Sequence, residues 1–224
     1  MKARLVKYAY FLVLIADIAV VLLDYKEFEK FLKPLLMPLL LYYLIEKASG
    51  KIYRHHLLLA LGLIFAWIGD LLLLSNETVY LMGGIGAFFI TQIIYLLIFK
   101  SNIDQSLSEA LKKNKASTAV LFVCLLTFLG VVIGFVEFPL LLLVVVYACA
   151  VTTATVISIL QRKELPGYGF MSIGMICFLI SDAMIGINLF ITPLPVATLL
   201  IMSTYGIAQY LITEGISESA EYSL

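Results

Sequence analysis

Two aspartates interrupt stretches that are otherwise apolar: Asp70 in HHLLLALGLIFAWIGDLLLL and Asp182 in GFMSIGMICFLISDAMIGINLF. A charged side chain at the centre of a bilayer costs about 2.5–3.5 kcal/mol on insertion scales, so such residues face a protein interior and work there. Read as chemistry, the pair is a carboxyl dyad around one cavity, with one group protonated and one ionised. Read as structure, each aspartate bonds across helices or pairs with Lys33. The dyad is the reading that explains why two such residues are kept at the same depth.

Other polar side chains share these apolar runs. Asp17 sits inside the first run, and either locks a helix, pairs with Lys33 or joins the site. Lys33 precedes Pro34 and has a stem long enough to snorkel, as an interfacial anchor or as a group of the site. Gln92 and Tyr95 share one helical face, Tyr205 and Gln209 share another, and Tyr147 lies deep in its run. Each can donate or accept a hydrogen bond inside a bundle, for packing or for a ligand. Tyr10, Tyr42, Tyr43, Tyr53 and Tyr80 read instead as an interfacial aromatic belt. Gly62, Ala66 and Gly69 flank Asp70 and let a neighbouring helix approach closely. Met175, Phe178 and Gly186 share the stripe of Asp182.

No metal site is visible. A zinc site needs about three converging ligands, whereas the two histidines, His55 and His56, adjoin and point to different helix faces. There is no G-x-S-x-G, H-E-x-x-H or P-loop pattern. Ser181 has no histidine partner. Cys124, Cys149 and Cys177 lie in apolar runs with no CxxC spacing and read as small buried residues. If chemistry happens here, carboxyls carry it.

The elements that position these residues are membrane helices. The 224 residues are 62% hydrophobic and 13% charged, against about 25% charged in soluble domains, and mean hydropathy is +1.06. Formal net charge is zero, which leaves no basic surface for nucleic acid. A span needs about 20 apolar residues, and eight stretches qualify: 5–23, 31–46, 56–74, 79–99, 117–136, 139–160, 168–191 and 195–213. The first reads as a retained span and not a signal peptide, because its apolar run is long and lacks a cleavage pattern. The second is short and carries Pro34 and Pro38. The expected fold is an all-α polytopic bundle, one transmembrane domain over 1–224, in the cell membrane (the inner membrane in a bacterium).

Lys and Arg collect in alternate loops: Lys2, Arg4 and Lys7; Lys47, Lys51 and Arg54; Lys100, Lys112, Lys113 and Lys115; Arg162 and Lys163. The positive-inside rule then predicts both termini cytoplasmic. Spans three and seven run outward, and each aspartate lies about 14 residues, or ~21 Å of rise, beyond its start. Ile68-Gly69-Asp70 also echoes Ile180-Ser181-Asp182, the trace of a weak internal repeat.

In order along the chain, Lys33-Pro34, Gly69-Asp70, Phe88 to Tyr95, Tyr147, Phe178-x-x-Ser181-Asp182, Asn188-x-Phe190 and Tyr205-x-x-Ala208-Gln209-x-Leu211-Ile212 resemble the YhhN family, which includes lysoplasmalogenases. The chain departs from that pattern at Gln92, near Ala154 and at Leu189, where the family often carries His, Met and Arg. The resemblance implies hydrolysis of the vinyl-ether bond of a lysoplasmalogen to a fatty aldehyde and a glycerophospho-base, without a cofactor. Asp70 and Asp182 would be the catalytic pair. Lys33, Gln92, Tyr95, Tyr147, Asn188, Tyr205 and Gln209 would bind substrate, and the partner is a lysophospholipid or ether lipid reached from the bilayer.

The chemistry suits the residues independently, since vinyl-ether hydrolysis needs an acid to protonate carbon and a carboxylate to stabilise the cation. A cation- or proton-coupled carrier would use the same aspartates. It expects a broken helix, for which Gly83-Gly84-x-Gly86 is the nearest candidate. A lipid-binding or assembly protein without catalysis is the third reading.

Overall fold

The computed structural model describes residues 2–75 and 77–222. It is helical, with no strand among the described residues. The helices are α1 (Lys2–Leu22), α2 (Glu29–Leu32), α3 (Leu36–Ala48), α4 (Arg54–Leu72), α5 (Thr78–Ser101), α6 (Leu107–Lys113), α7 (Lys115–Val132), α8 (Leu140–Leu160), α9 (Tyr168–Phe190) and α10 (Ala197–Ser219). Six of them, namely α1, α4, α5, α7, α8 and α9, are long and apolar enough to cross a membrane. At 13 residues α3 is short of that length, and α10 carries Glu214 and Glu218 in its last turns.

The stretch 31–46, expected as one helix, is broken. It runs as α2, a 3₁₀ turn at Lys33–Leu35 and then α3. Pro34 sits in the first positions of that turn, and Pro38 in the first turn of α3 has no N–H for the carbonyl of Pro34, four residues back. The Trp67 indole of α4 donates to that carbonyl at 2.9 Å. This bond fixes Lys33 beside the segment of α4 that carries Asp70, one turn beyond Trp67.

Packing closes a ring: α1 touches α3, α3 touches α4, and α5, α8, α9 and α10 follow in turn back to α1. Small residues allow the closest approaches. A Cβ on Gly62 would come within 2.9 Å of the Tyr95 ring, and one on Gly174 within 3.1 Å of the Ala208 carbonyl. Polar bonds stitch the ring. Tyr10 donates to the Gly206 carbonyl at 2.8 Å, and Ser172 donates to the Ser158 carbonyl at 2.8 Å. At the end of the bundle where α3 finishes, Lys47 and Tyr43 both reach Glu214, each at 2.5 Å. Those bonds carry α10 past 213, the expected end of the last span, to Ser219.

The helix α7 stands outside the ring, against α8 and α9, and Val132 is its one buried residue. It docks through Phe128, whose ring lies where a Cβ on Gly186 would be, at 2.7 Å. Through Gly83, Gly84 and Gly86 the helix α5 runs without interruption.

Candidate active site

The C-terminal halves of α4 and α9 meet the N-terminal halves of α8 and α10 at one end of the ring. Between them lies a cavity of about 180 Å³. Asp70, Asp182, Lys33, Tyr147 and Tyr205 all line it, with Thr152 and a surround of Leu, Ile, Val and Phe side chains. The two aspartates therefore share one cavity. Its outer wall is α7, through Leu121, Cys124, Leu125 and Phe128, and the opposite face of that helix is exposed at Phe122, Val123 and Leu126.

Each carboxyl has its own tyrosine. Tyr205 donates to Asp70 Oδ2 at 2.9 Å, and Tyr147 donates to Asp182 Oδ2 at 2.6 Å. Behind Tyr205 the bonds continue: Gln209 donates to its oxygen at 3.3 Å, and Tyr95 donates to Gln209 Oε1 at 2.8 Å. The Tyr205 ring is held by edge-to-face contacts with Phe88 and Phe178, at 5.9 and 5.6 Å between centroids. Such pairs contribute about 0.5–1.5 kcal/mol each beyond burial, so this hydroxyl is aimed by a rigid cluster.

Lys33 is largely buried and its ammonium lies 3.5 Å from Glu29, one turn back. A cation over an apolar cavity with two carboxyls is suited to a phosphate group on an otherwise hydrocarbon ligand. Asp17 is fully buried on α1, and neither of its oxygens has a hydrogen-bond partner. Lys33 and Glu29 are the charged groups that act on it, at more than ion-pair distance.

The other expected ligands stand back from the cavity. Tyr95 and Gln209 act through Tyr205. Gln92 is buried beside the Tyr147 hydroxyl without a hydrogen bond of ordinary geometry. Asn188 accepts from the Leu194 N–H at 2.9 Å and so fastens the turn after α9. Ser181 donates to the Ile201 carbonyl at 3.1 Å.

Two expectations fail. Cys124 and Cys149 are exposed, Cys124 at the cavity wall, and Cys177 is half-buried, because apolar runs in this bundle are not packed on every face. Tyr10 and Tyr43 are buried and hydrogen-bonded, not belt residues, because their hydroxyls find partners on α10. The residues that sequence reasoning missed are Trp67 and Glu29. Trp67 is the one tryptophan of the chain. The signals were the Pro34–Pro38 spacing, which orphans a carbonyl, and the i,i+4 placement of Glu29 and Lys33.

His56 accepts from the Tyr53 N–H at 3.2 Å and caps α4, while His55 bonds Ser101 at 2.9 Å. Among the described residues no three His, Cys, Asp or Glu side chains converge as a metal would require.

The family model for YhhN matches residues 28–216. The chain belongs to the YhhN family. All the cavity residues named above fall within the match, whereas Asp17 precedes the segment shared with the YhhN model. No curated protein and no solved structure matches this YhhN chain.

Proposed function

We propose that the protein is a membrane hydrolase of lysoplasmalogens, cleaving the vinyl-ether bond of an alkenyl-glycerophospho-ethanolamine or -choline. The observation that carries this reading is the apolar cavity lined by Asp70 and Asp182 together with Lys33. One carboxylic acid protonates the β-carbon of the vinyl ether, the π pair forms the C–H bond, and an oxocarbenium ion results. Water adds to its carbon and gives a proton to the other carboxylate, leaving a hemiacetal. That second group then returns the proton to the departing glycerol oxygen as the C–O bond breaks. The first takes the hemiacetal hydroxyl proton, and aldehyde and alcohol leave with both carboxyls restored. This is the acid–base exchange of glycosidases applied to an enol ether.

In this reading Lys33 faces the phosphate, while Tyr147 and Tyr205 orient the carboxyls, supported by Gln92, Tyr95 and Gln209. Asn188 shapes the turn above the site. The hydrocarbon chain enters past α7 from the bilayer. α3 and α10 also cross it, giving eight spans, one transmembrane domain and cytoplasmic termini, in keeping with the Lys and Arg loops.

The test is aldehyde release by purified protein in detergent from a panel of lysolipids. Activity on the vinyl-ether substrate, lost in both Asp70→Asn and Asp182→Asn, is expected. Full activity in either variant, or ion flux in proteoliposomes without hydrolysis, overturns the reading.

A further inference from the structure

We propose that the two aspartates hold fixed and different roles: Asp182 delivers the proton to carbon, and Asp70 is the carboxylate that faces the cation and takes the proton from water. The assignment rests on the reaction proposed above and follows from what faces each carboxyl.

Asp70 stands at the end of a row of donors. Tyr95 on α5 donates to Gln209 on α10, Gln209 donates to Tyr205, and Tyr205 donates to Asp70. All three point the same way, so each bond polarises the next and their sum favours negative charge at the last acceptor. The 3₁₀ turn before α3 adds Lys33, which acts on Asp70 through space. From α1, Asp17 opposes that effect with like charge, and the Tyr10 hydroxyl also lies within electrostatic reach. Even with Asp17 counted, a cation and a three-membered donor row converge on this oxygen pair. An oxocarbenium ion forming beside it meets negative charge already in place, which is how preorganised sites lower a barrier.

Asp182 has a shorter arrangement and no cation acting on it. Tyr147 on α8 is the one titratable group of the described residues that acts on it. Gln92 on α5 lies behind that hydroxyl and acts on it, without a hydrogen bond of ordinary geometry. Lys33 and Asp70 line the same cavity, but among the described residues no lysine, arginine or second carboxyl acts on Asp182 as Lys33 acts on Asp70. Tyr147 takes Oδ2, Oδ1 has no hydrogen bond among the described residues, and the side chain lines the cavity. A carboxyl without a counter-charge in an apolar wall carries a proton at lower cost than a charge. A proton on Oδ1 is therefore directed at the substrate, while Tyr147 holds the other oxygen and sets the orientation of the group.

The roles make the two aspartates separable although both are required. Infrared spectra of the purified protein at neutral pH read them without turnover. The band of a protonated carboxyl present in wild type should be lost in Asp182→Asn and kept in Asp70→Asn. A carboxylate band should be lost in Asp70→Asn instead. Turnover gives an independent readout: each glycine variant should lose roughly 10²–10⁴-fold, the usual contribution of a general acid or base. Sodium formate, a small carboxylate able to accept the proton of water, should restore part of the aldehyde release in Asp70→Gly and none in Asp182→Gly.

Loss of the protonated band in Asp70→Asn, or formate rescue of Asp182→Gly, overturns the assignment. If formate rescues neither variant, the infrared comparison decides alone. A wild-type protein that releases no aldehyde sinks the hydrolase reading, and the infrared comparison then still reports which carboxyl is protonated.

Discussion

The indole N–H of Trp67 caps the carbonyl of Pro34 across 2.9 Å, and this one bond couples the helix that carries Asp70 to the turn that carries Lys33. Pro38 cannot bond that carbonyl, so without Trp67 it loses its partner. Trp67→Phe keeps the ring and removes the donor. Leaving this part-buried acceptor unpaired costs up to about 1–3 kcal/mol, read as a lower unfolding midpoint in detergent. Because Lys33 loses its anchor, KM for a phosphate-bearing lysolipid should rise more than kcat falls. An unchanged midpoint with unchanged KM would show that the bond holds nothing in place.

Gly69 precedes Asp70 and its missing side chain makes room for Phe88. A Cβ there would meet the Phe88 ring at 2.7 Å, and that ring is one of the two that aim Tyr205. Gly69→Ala should therefore cost about 1–3 kcal/mol, as overpacking does, and lower turnover by tilting the Tyr205 hydroxyl from Asp70. Gly86→Ala is the control. Nothing lies within 4 Å of a Cβ at that position, so there the helix gains roughly 0.5–1 kcal/mol from alanine. Equal effects of the two substitutions would refute the packing argument.

Asp17 is a buried carboxyl with neither oxygen hydrogen-bonded, outside the segment matched by the YhhN family. Asp17→Leu should raise stability by about 1–3 kcal/mol, the desolvation cost of an unmet polar group, with activity retained. Thermal unfolding and aldehyde release measured on one preparation check both halves. A lower midpoint would mean that the charge of Lys33 depends on Asp17 despite their separation.

Asp70 and Asp182 were legible in the sequence because a carboxylate in an apolar run has few reasons to exist, and the shared face of Tyr205 and Gln209 followed from helical spacing. What stayed hidden is tertiary. A helix apolar on every side has no face that says which way it turns, so neither the closed ring nor the exclusion of α7 from it could be read. The same ambiguity made Cys124 look buried and Tyr10 look interfacial. Trp67 is silent in sequence since its partner is a backbone carbonyl on another element, and Asn188 resembles a ligand until its bond to Leu194 is seen.

The place of α7 outside the ring leads to the last prediction. Its buried contribution is Val132, so little of the fold rests on it, yet four of its side chains wall the cavity. Phe128 lies against Gly186, where a Cβ would come within 2.7 Å of its ring. Gly186→Leu should push Phe128 and α7 outward and occupy part of the hydrocarbon channel. Losing the burial of two substrate methylenes, at ~0.8 kcal/mol each, is roughly a tenfold rise in KM. The rise should appear for long alkenyl chains and fade for short ones, with the unfolding midpoint of the ring little changed. KM measured across a chain-length series decides the matter: a uniform effect at every length would place the alkenyl chain elsewhere than along α7.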